Sequence, residues 1–319
     1  MDSMEGGVVP AVVRSCIVRE PELLGHIFDR AADLAAAFSH VLVGPGDDCA
    51  LIATGARTLL KVDSVIEGVH FARGTPVDRI AYKAIARTVS DIAAMAGRPT
   101  AALAACVLPT GMPASTANEL FDATSRHARH FGCPLVGGDI ASNDGPLTLT
   151  ITVVGTPHEK VLPLRSHARP GDGVYVTGAL GGSLGKDALG RHLSFTPRLA
   201  EAEFLANTLD SGLHAMMDLS DGLGIDGGRM ALASGVSMVI DERRVAVHAD
   251  AAGIGSAIGD GEDYELLFTV AAGCEVPSVC PTTGTTITRI GEVFEGSGVW
   301  LRTRSGEVLD IARKGFAHR

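Results

Sequence analysis

A carboxylate inside an apolar helix limits what this chain can fold into more than any other feature. Residues 77–97 carry apolar side chains at helical spacing, and the segment closes on Gly97 and Pro99. Within it, Thr88-Val89-Ser90-Asp91-Ile92-Ala93-Ala94 puts Asp91 among side chains that call for burial. An ionised carboxylate is costly in apolar surroundings unless it is paired. The fold must bring compensating groups to Asp91 from elsewhere in the chain.

Other acids stand at comparable places. Asp47 and Asp48 follow the turn Gly44-Pro45-Gly46, and Asp63 ends an apolar strand. Asp139 follows Gly137-Gly138 at another strand end. Asp218 and Asp221 bracket Ser220 at a strand-to-helix turn, and Glu262 and Asp263 precede Tyr264-Glu265-Leu266-Leu267-Phe268. A lone aspartate in a turn is ordinarily an Asx turn or a helix cap. Several at strand ends, together with Asp91, point to convergence on cations. Carboxylates without His or Cys suit Mg²⁺, which keeps waters and binds phosphate oxygens. The spacing leaves both readings open: separate turns and caps, or a multi-Mg²⁺ phosphate site.

The chain of 319 residues is long enough for one large domain or two of about 150 residues. Hydrophobic periodicity predicts helices over 20–39, 77–97, 114–131, 197–209 and 226–234. It predicts strands over 50–54, 58–63, 101–108, 133–136, 147–154, 174–177, 215–218, 236–240, 266–270, 286–293 and 298–302, with a Gly55 turn joining the first two. Between 156 and 172 the pattern dissolves into Pro, His and Arg, so we divide the chain into 1–158 and 159–319. Neither half shows a regular βαβ rhythm, which argues for an α+β fold of two α/β-layer domains.

Lys plus Arg is 27 against 37 Asp plus Glu, a formal charge of −10. Such a balance disfavours sequence-independent nucleic-acid binding and attraction to anionic membranes. The longest uncharged stretch, 99–118, contains Pro99, Pro109 and Pro113 and does not read as a membrane span. No basic leader precedes an apolar run at the N-terminus. The six cysteines, Cys16, Cys49, Cys106, Cys133, Cys274 and Cys280, form no CxxC pair. They read as buried free thiols of a cytoplasmic protein.

Familiar nucleotide and hydrolase motifs fail. Before Lys186, Leu180 occupies the first glycine position of a P-loop, and Asp187 occupies its hydroxyl position. Cys49 breaks a dinucleotide fingerprint that would start at Gly44. His127 and His130 lack a third ligand, and there is no G-x-S-x-G elbow.

The segments GPGDDCALI (44–52), VDSVIEGVHF (62–71), AYKAIARTVSDIAAMAG (81–97), LVGGD (135–139), LRSHARPGD (164–172), HLSFTPRL (192–199), MDLSDGL (217–223), GEDYELLF (261–268) and KGF (314–316) are spread over nearly the whole chain. In these segments the sequence resembles the thiamine-monophosphate kinase family. Its superfamily includes aminoimidazole ribonucleotide synthetase and selenophosphate synthetase. The resemblance implies two α/β domains, with N-terminal domains paired in a homodimer and ATP in a cleft near that interface. It implies transfer of the γ-phosphoryl of ATP onto thiamine monophosphate, with several Mg²⁺ ions. By position, Asp47, Asp63, Asp91, Asp139, Asp218 and Asp221 match the family's metal ligands. Gly138, Asp139, Arg165 and Ser220 match ATP contacts, and His70, Glu262 and Phe316 match positions that hold the thiamine substrate. The nucleophile is an anionic phosphate oxygen, so no general base is expected.

The chain departs from the family at Lys61 and Val62, where a Ser/Thr pair usually precedes the aspartate. Strand alternation puts Lys61 and Asp63 on one face. Lys61 therefore either replaces one metal ion or turns out to solvent. In the short stretch 178–192, Lys186 and Arg191 are the basic residues on hand for phosphate. Two other readings are an ATP-dependent relative with another acceptor and a catalytically silent, nucleotide-binding paralogue.

Overall fold

A computed structural model describes residues 39, 41–43, 46–53 and 57–315. The helix expected over 20–39 lies almost wholly outside the described residues, as do Cys16, Gly44-Pro45, Gly55 and Phe316. The chain forms a mixed α+β fold around two sheets. The first has strand order β1-β2-β3-β6-β4-β5: β1 Val41–Val43, β2 Ala50–Ala53, β3 Arg57–Ile66, β4 Arg98–Pro109, β5 Leu135–Asn143 and β6 Thr148–Thr156. All its neighbours are antiparallel except β4 and β5. The second has order β13-β12-β9-β11-β7-β10-β8: β7 Gly173–Thr177, β8 Leu213–Asp218, β9 Val236–Asp241, β10 Leu266–Val270, β11 Ile287–Glu295, β12 Gly298–Arg302 and β13 Val308–Asp310. Only β12 and β9 run parallel in it.

Helix α1, Val77–Ala94, joins the two halves. Ile80, Ile85, Val89 and Ile92 pack with Leu59, Val65, Leu149 and Ile151 of the first sheet. Ala93 and Ala94 pack with Leu205, Met216 and Phe268 of the second half. The sequence predicts an amphipathic helix, which ordinarily leaves a polar face to water. Here both flanks are covered, and small alanines on one side let the second half approach closely. The helix ends through Ala96, not Gly97, in the left-handed conformation (φ 51°). Gly97 is required for a different reason: a Cβ there would lie 2.4 Å from Leu59 Cδ1.

Helix α2, Ala114–His130, lies beside α1. Helices α3 (Leu199–Leu209), α4 (Leu223–Ser234) and the short α5 (Ile254–Gly259) belong to the second half. The opposite face of the first sheet is open. Val62 (56% exposed), Leu103 (42%) and Val136 (68%) lie on β3, β4 and β5 away from the helices. The sequence also misjudges β5. Its glycines read as a strand end at 136, yet the strand runs through Gly137-Gly138-Asp139 to Asn143. Parallel pairing with β4 holds it there, and a Cβ on Gly138 would sit 2.0 Å from the Ala104 carbonyl oxygen.

Candidate active site

Three carboxylates meet at the seam between the halves. Asp48 precedes β2, Asp91 lies on α1 and Asp218 ends β8. One oxygen from each lies within 4.8 Å of the others, and all three residues are buried. Local bonds fix each one. Arg165 donates to both Asp48 oxygens (Nε 2.8 Å, Nη2 2.6 Å), and Ser90, beside Asp91 on α1, donates to Asp218 Oδ2 (2.6 Å). The thiol of Cys49 donates to the Asp91 carbonyl (3.4 Å) and docks the acidic loop on the helix. Burial pushes Asp91 well above the usual carboxylate range. Lys61 opposes that shift, while Asp218, Asp63 and Asp48 add to it. Burial and then Asp48 push Asp218 up to about 7. Three buried, converging oxygen donors form a set that a hard divalent cation fits.

The structure brings some expected residues to this point and holds others apart. Asp48, which is among the acids at the Gly44-Pro45-Gly46 turn but not among the family-matched metal ligands, enters the triad. Asp47 stands beside it, accepting the N–H groups of Asp48 (2.8 Å) and Arg165 (3.1 Å), and burial raises it to about 7. Asp63 shares the helix-facing side of β3 with Lys61, between the buried Leu59 and Val65. Lys61 turns inward, with Nζ 2.8 Å from Asp91 Oδ1 and 3.6 Å from Asp63 Oδ2. Burial would raise Asp63, but Lys61 and Arg87 outweigh it and hold the carboxyl below its usual value.

Asp221 pairs with Arg229 of α4 (2.5 Å). Asp226 accepts the N–H groups of Asp221 (2.8 Å) and Gly222 (3.1 Å), which closes the start of α4. Gly138 and Asp139 lie on exposed β5. Arg191, a basic residue available to phosphate by sequence, instead pairs with Asp263 (2.7 Å).

His70 and Glu262 do come together, through a residue the sequence reading missed. The fully buried Lys83 of α1 donates to the His70 carbonyl (2.7 Å) and pairs with Glu262 Oε2 (2.5 Å). Glu262 and Tyr264 both have positive φ (59° and 53°), unusual for side chains of this size. Their N–H groups bond to the Ser220 and Leu219 carbonyls (2.7 and 2.8 Å), which ties this segment to the Asp218–Asp221 turn. Tyr264 stacks on Phe195 at 3.8 Å between ring centroids. Lys83, Arg87 and Asp91 are four residues apart and share one stripe of α1. That spacing was the available signal for Lys83 and Arg87.

A family profile for the AIR synthase related protein, N-terminal domain, matches residues 46–156. The chain is 35% identical over 299 residues to the thiamine-monophosphate kinase of Rhodopirellula baltica, spanning 87% of this chain and 92% of that protein. It is 32% identical over 311 residues to the thiamine-monophosphate kinase of Bacillus subtilis, spanning 88% and 94%. The chain belongs to the thiamine-monophosphate kinase family. The structure of AaThiL complexed with AMPPCP and TMP matches it with a TM-score of 0.79 at 28% identity, over 94% of this chain and 97% of that one.

Asp218 holds its proton to about 7 in the folded chain, against 3.8 for the free side chain. Asp47 behaves alike. The folded state therefore binds more protons across that window, and stability falls as pH rises from about 4 to about 7. A cation on the triad reverses the loss. Thermal unfolding with chelator should show a midpoint that declines over this window. Mg²⁺ should raise the midpoint more above about pH 7 than near pH 4. A Mg²⁺ increment independent of pH would contradict this account.

Proposed function

We propose that this chain transfers the γ-phosphoryl group of ATP to the phosphate of thiamine monophosphate, yielding thiamine diphosphate and ADP. The observation that carries this reading is the match over 94% of the chain to a relative that holds AMPPCP and TMP. The seam residues supply a chemical rationale. The acceptor phosphate is already anionic, so the obstacle is charge repulsion, not deprotonation. Asp48, Asp91 and Asp218 would hold Mg²⁺, with Asp47, Asp139 and Asp221 as further ligands by family position; Asp63, matched to the same set, already faces Lys61 and Arg87. When bound, Mg²⁺ offsets phosphate charge and keeps donor and acceptor in line.

The chain's own groups orient this set. Arg165 fixes Asp48, and Ser90 fixes Asp218. Gly138, Asp139, Arg165 and Ser220 form the nucleotide side. His70 and Glu262 form the thiamine side, with Phe316, which lies outside the described residues, as a stacking ring. Lys83 sets the direction of the Glu262 carboxylate and cancels its charge. Glu262 would therefore orient the substrate by hydrogen bonding more than by net charge.

The division at 158/159 is part of this reading: the first sheet ends at Thr156 and the second begins at Gly173. So is a cytoplasmic setting. Among the described residues, no helix is long and apolar enough to cross a membrane. Of the five described cysteines, only Cys274 is exposed.

Purified protein given ATP, Mg²⁺ and thiamine monophosphate should form thiamine diphosphate, read by chromatography, and chelator should abolish the product. Nucleotide binding without turnover would favour the silent paralogue; turnover with another phosphate acceptor alone would favour the superfamily relative. Lys83→Met should lower kcat/KM for thiamine monophosphate roughly tenfold to a hundredfold, the range for losing a charge-assisted hydrogen bond. The KM for ATP should stay near native. An equal loss for both substrates would show that Lys83 acts only through folding.

The open apolar face bearing Val62, Leu103 and Val136 would pair two chains. Leu103→Glu with Val136→Glu should convert a dimer to a monomer in light scattering. A native monomer at micromolar concentration would end the dimer proposal.

A further inference from the structure

Asp63 Oδ2 lies between two cations from different elements. Lys61 Nζ of β3 is 3.6 Å away, and Arg87 Nε of α1 is 3.7 Å away. Lys61 also reaches Asp91 Oδ1 at 2.8 Å, so one ammonium spans two carboxylates. Arg87 Nη1 donates to the Ser64 carbonyl (3.2 Å), but its buried Nε has no hydrogen-bond partner. A guanidinium is not held in such a position by hydrogen bonding alone, because an unsatisfied buried donor is costly. The charge it faces accounts for its place. Burial alone would weaken the protonation of both cations. For Lys61, Asp91 and Asp63 outweigh it; for Arg87, Tyr264, Asp63, Glu262 and Asp91 do. Both side chains stay charged.

A divalent ion shared by Asp63 and Asp91 would need oxygens at about 2.0–2.1 Å. Lys61 Nζ already occupies the contact with Asp91, and two cations cannot share that space without strong repulsion. The Asp48–Asp91–Asp218 side differs. Its oxygens converge within 4.8 Å from three separate elements, and Arg165 holds Asp48 in place through both of its oxygens.

We propose that Lys61 and Arg87 together form a fixed dication at Asp63 that stands in for one divalent metal ion. The exchangeable ions of the centre then gather on the Asp48, Asp91 and Asp218 side. This rests on the metal-binding reading given above and deepens it. With Asp47, Asp48, Asp63, Asp91 and Asp218 ionised, Lys61, Arg87 and Arg165 leave two negative charges uncompensated. That is the charge of one divalent ion before nucleotide brings its own. Neutralisation of Asp63 becomes independent of free Mg²⁺, since a tethered ammonium and guanidinium cannot be chelated.

Mn²⁺ bound per chain can be counted by electron paramagnetic resonance in the presence of AMPPCP. The native chain is compared with a Lys61→Thr/Arg87→Ala double variant. The double variant should bind one Mn²⁺ more per chain than the native protein. Equal, non-zero counts would overturn this inference and leave the metal reading standing; no Mn²⁺ on either protein would overturn both. Anomalous scattering from Mn²⁺ in crystals of the native chain gives a readout free of any folding defect in the variant. Ions against Asp48, Asp91 or Asp218, with none bridging Asp63 and Asp91, are expected. An ion bridging Asp63 and Asp91, with Lys61 turned away, would refute the proposal.

Discussion

Helix α1 is covered by a sheet on one side and by the second half of the molecule on the other, yet it carries Lys83, Arg87 and Asp91 along one stripe. None of the three can rely on bulk water, so each needs a partner from another element. Glu262 answers Lys83, Asp63 answers Arg87 and Lys61 answers Asp91. Those partners come from β3 and from the segment before β10. A slip of α1 by one turn against either sheet would leave a buried charge uncompensated at several points at once. The stripe therefore fixes how the two halves meet, while the alanines at 86, 93 and 94 let them come close enough for those pairs to form.

The second half reaches the seam through one continuous backbone network. Leu219 and Ser220 carbonyls hold the N–H groups of Tyr264 and Glu262, and Asp218 pairs in register with Leu266. The turn that carries Asp218 and the segment that carries Glu262 are thus one structural unit. The positive φ values at Glu262 and Tyr264 persist because bonds on both sides and the Phe195 ring over Tyr264 over-determine them. Metal-facing and substrate-facing groups cannot shift independently. This coupling suits a reaction that needs two phosphates aligned, where positioning supplies most of the rate.

Much of the architecture was legible in the sequence, because strands with clear alternation and helices with clear periodicity announce themselves. The segments read as strands in the second half coincide closely with β7 to β12. Elements set by context did not show. β1 and β13 are three residues each, and β5 is a glycine-rich strand that exists because β4 pairs with it in parallel. At the site, Asp91 could be singled out because it breaks the apolar pattern of its helix, Asp218 because it stands at a strand end, and Lys61 because it departs from the family's Ser/Thr pair. Asp48 could not, since a Gly-Asp-Asp turn does not reveal which carboxylate faces inward. Lys83 and Arg87 were hidden for a related reason. Long basic side chains on a helix ordinarily snorkel to water, and only a second packed layer excludes that.

The formal charge of −10 acquires a local meaning from this geometry. A surplus of acid spread over a surface would repel nucleotide and phosphate ester alike. Here a large share of the buried acid is already answered by fixed cations. Lys61 serves Asp91 and Asp63, Arg87 serves Asp63, Arg165 serves Asp48, Arg229 serves Asp221 and Asp226, and Lys83 serves Glu262. Asp218 and Asp47 remain with neutral partners, the Ser90 hydroxyl and backbone N–H groups, and burial pushes both up to about 7. A mobile cation gains most where fixed charge is least complete. The arrangement of arginines and lysines therefore directs the divalent ion to one side of the seam as firmly as the aspartates attract it.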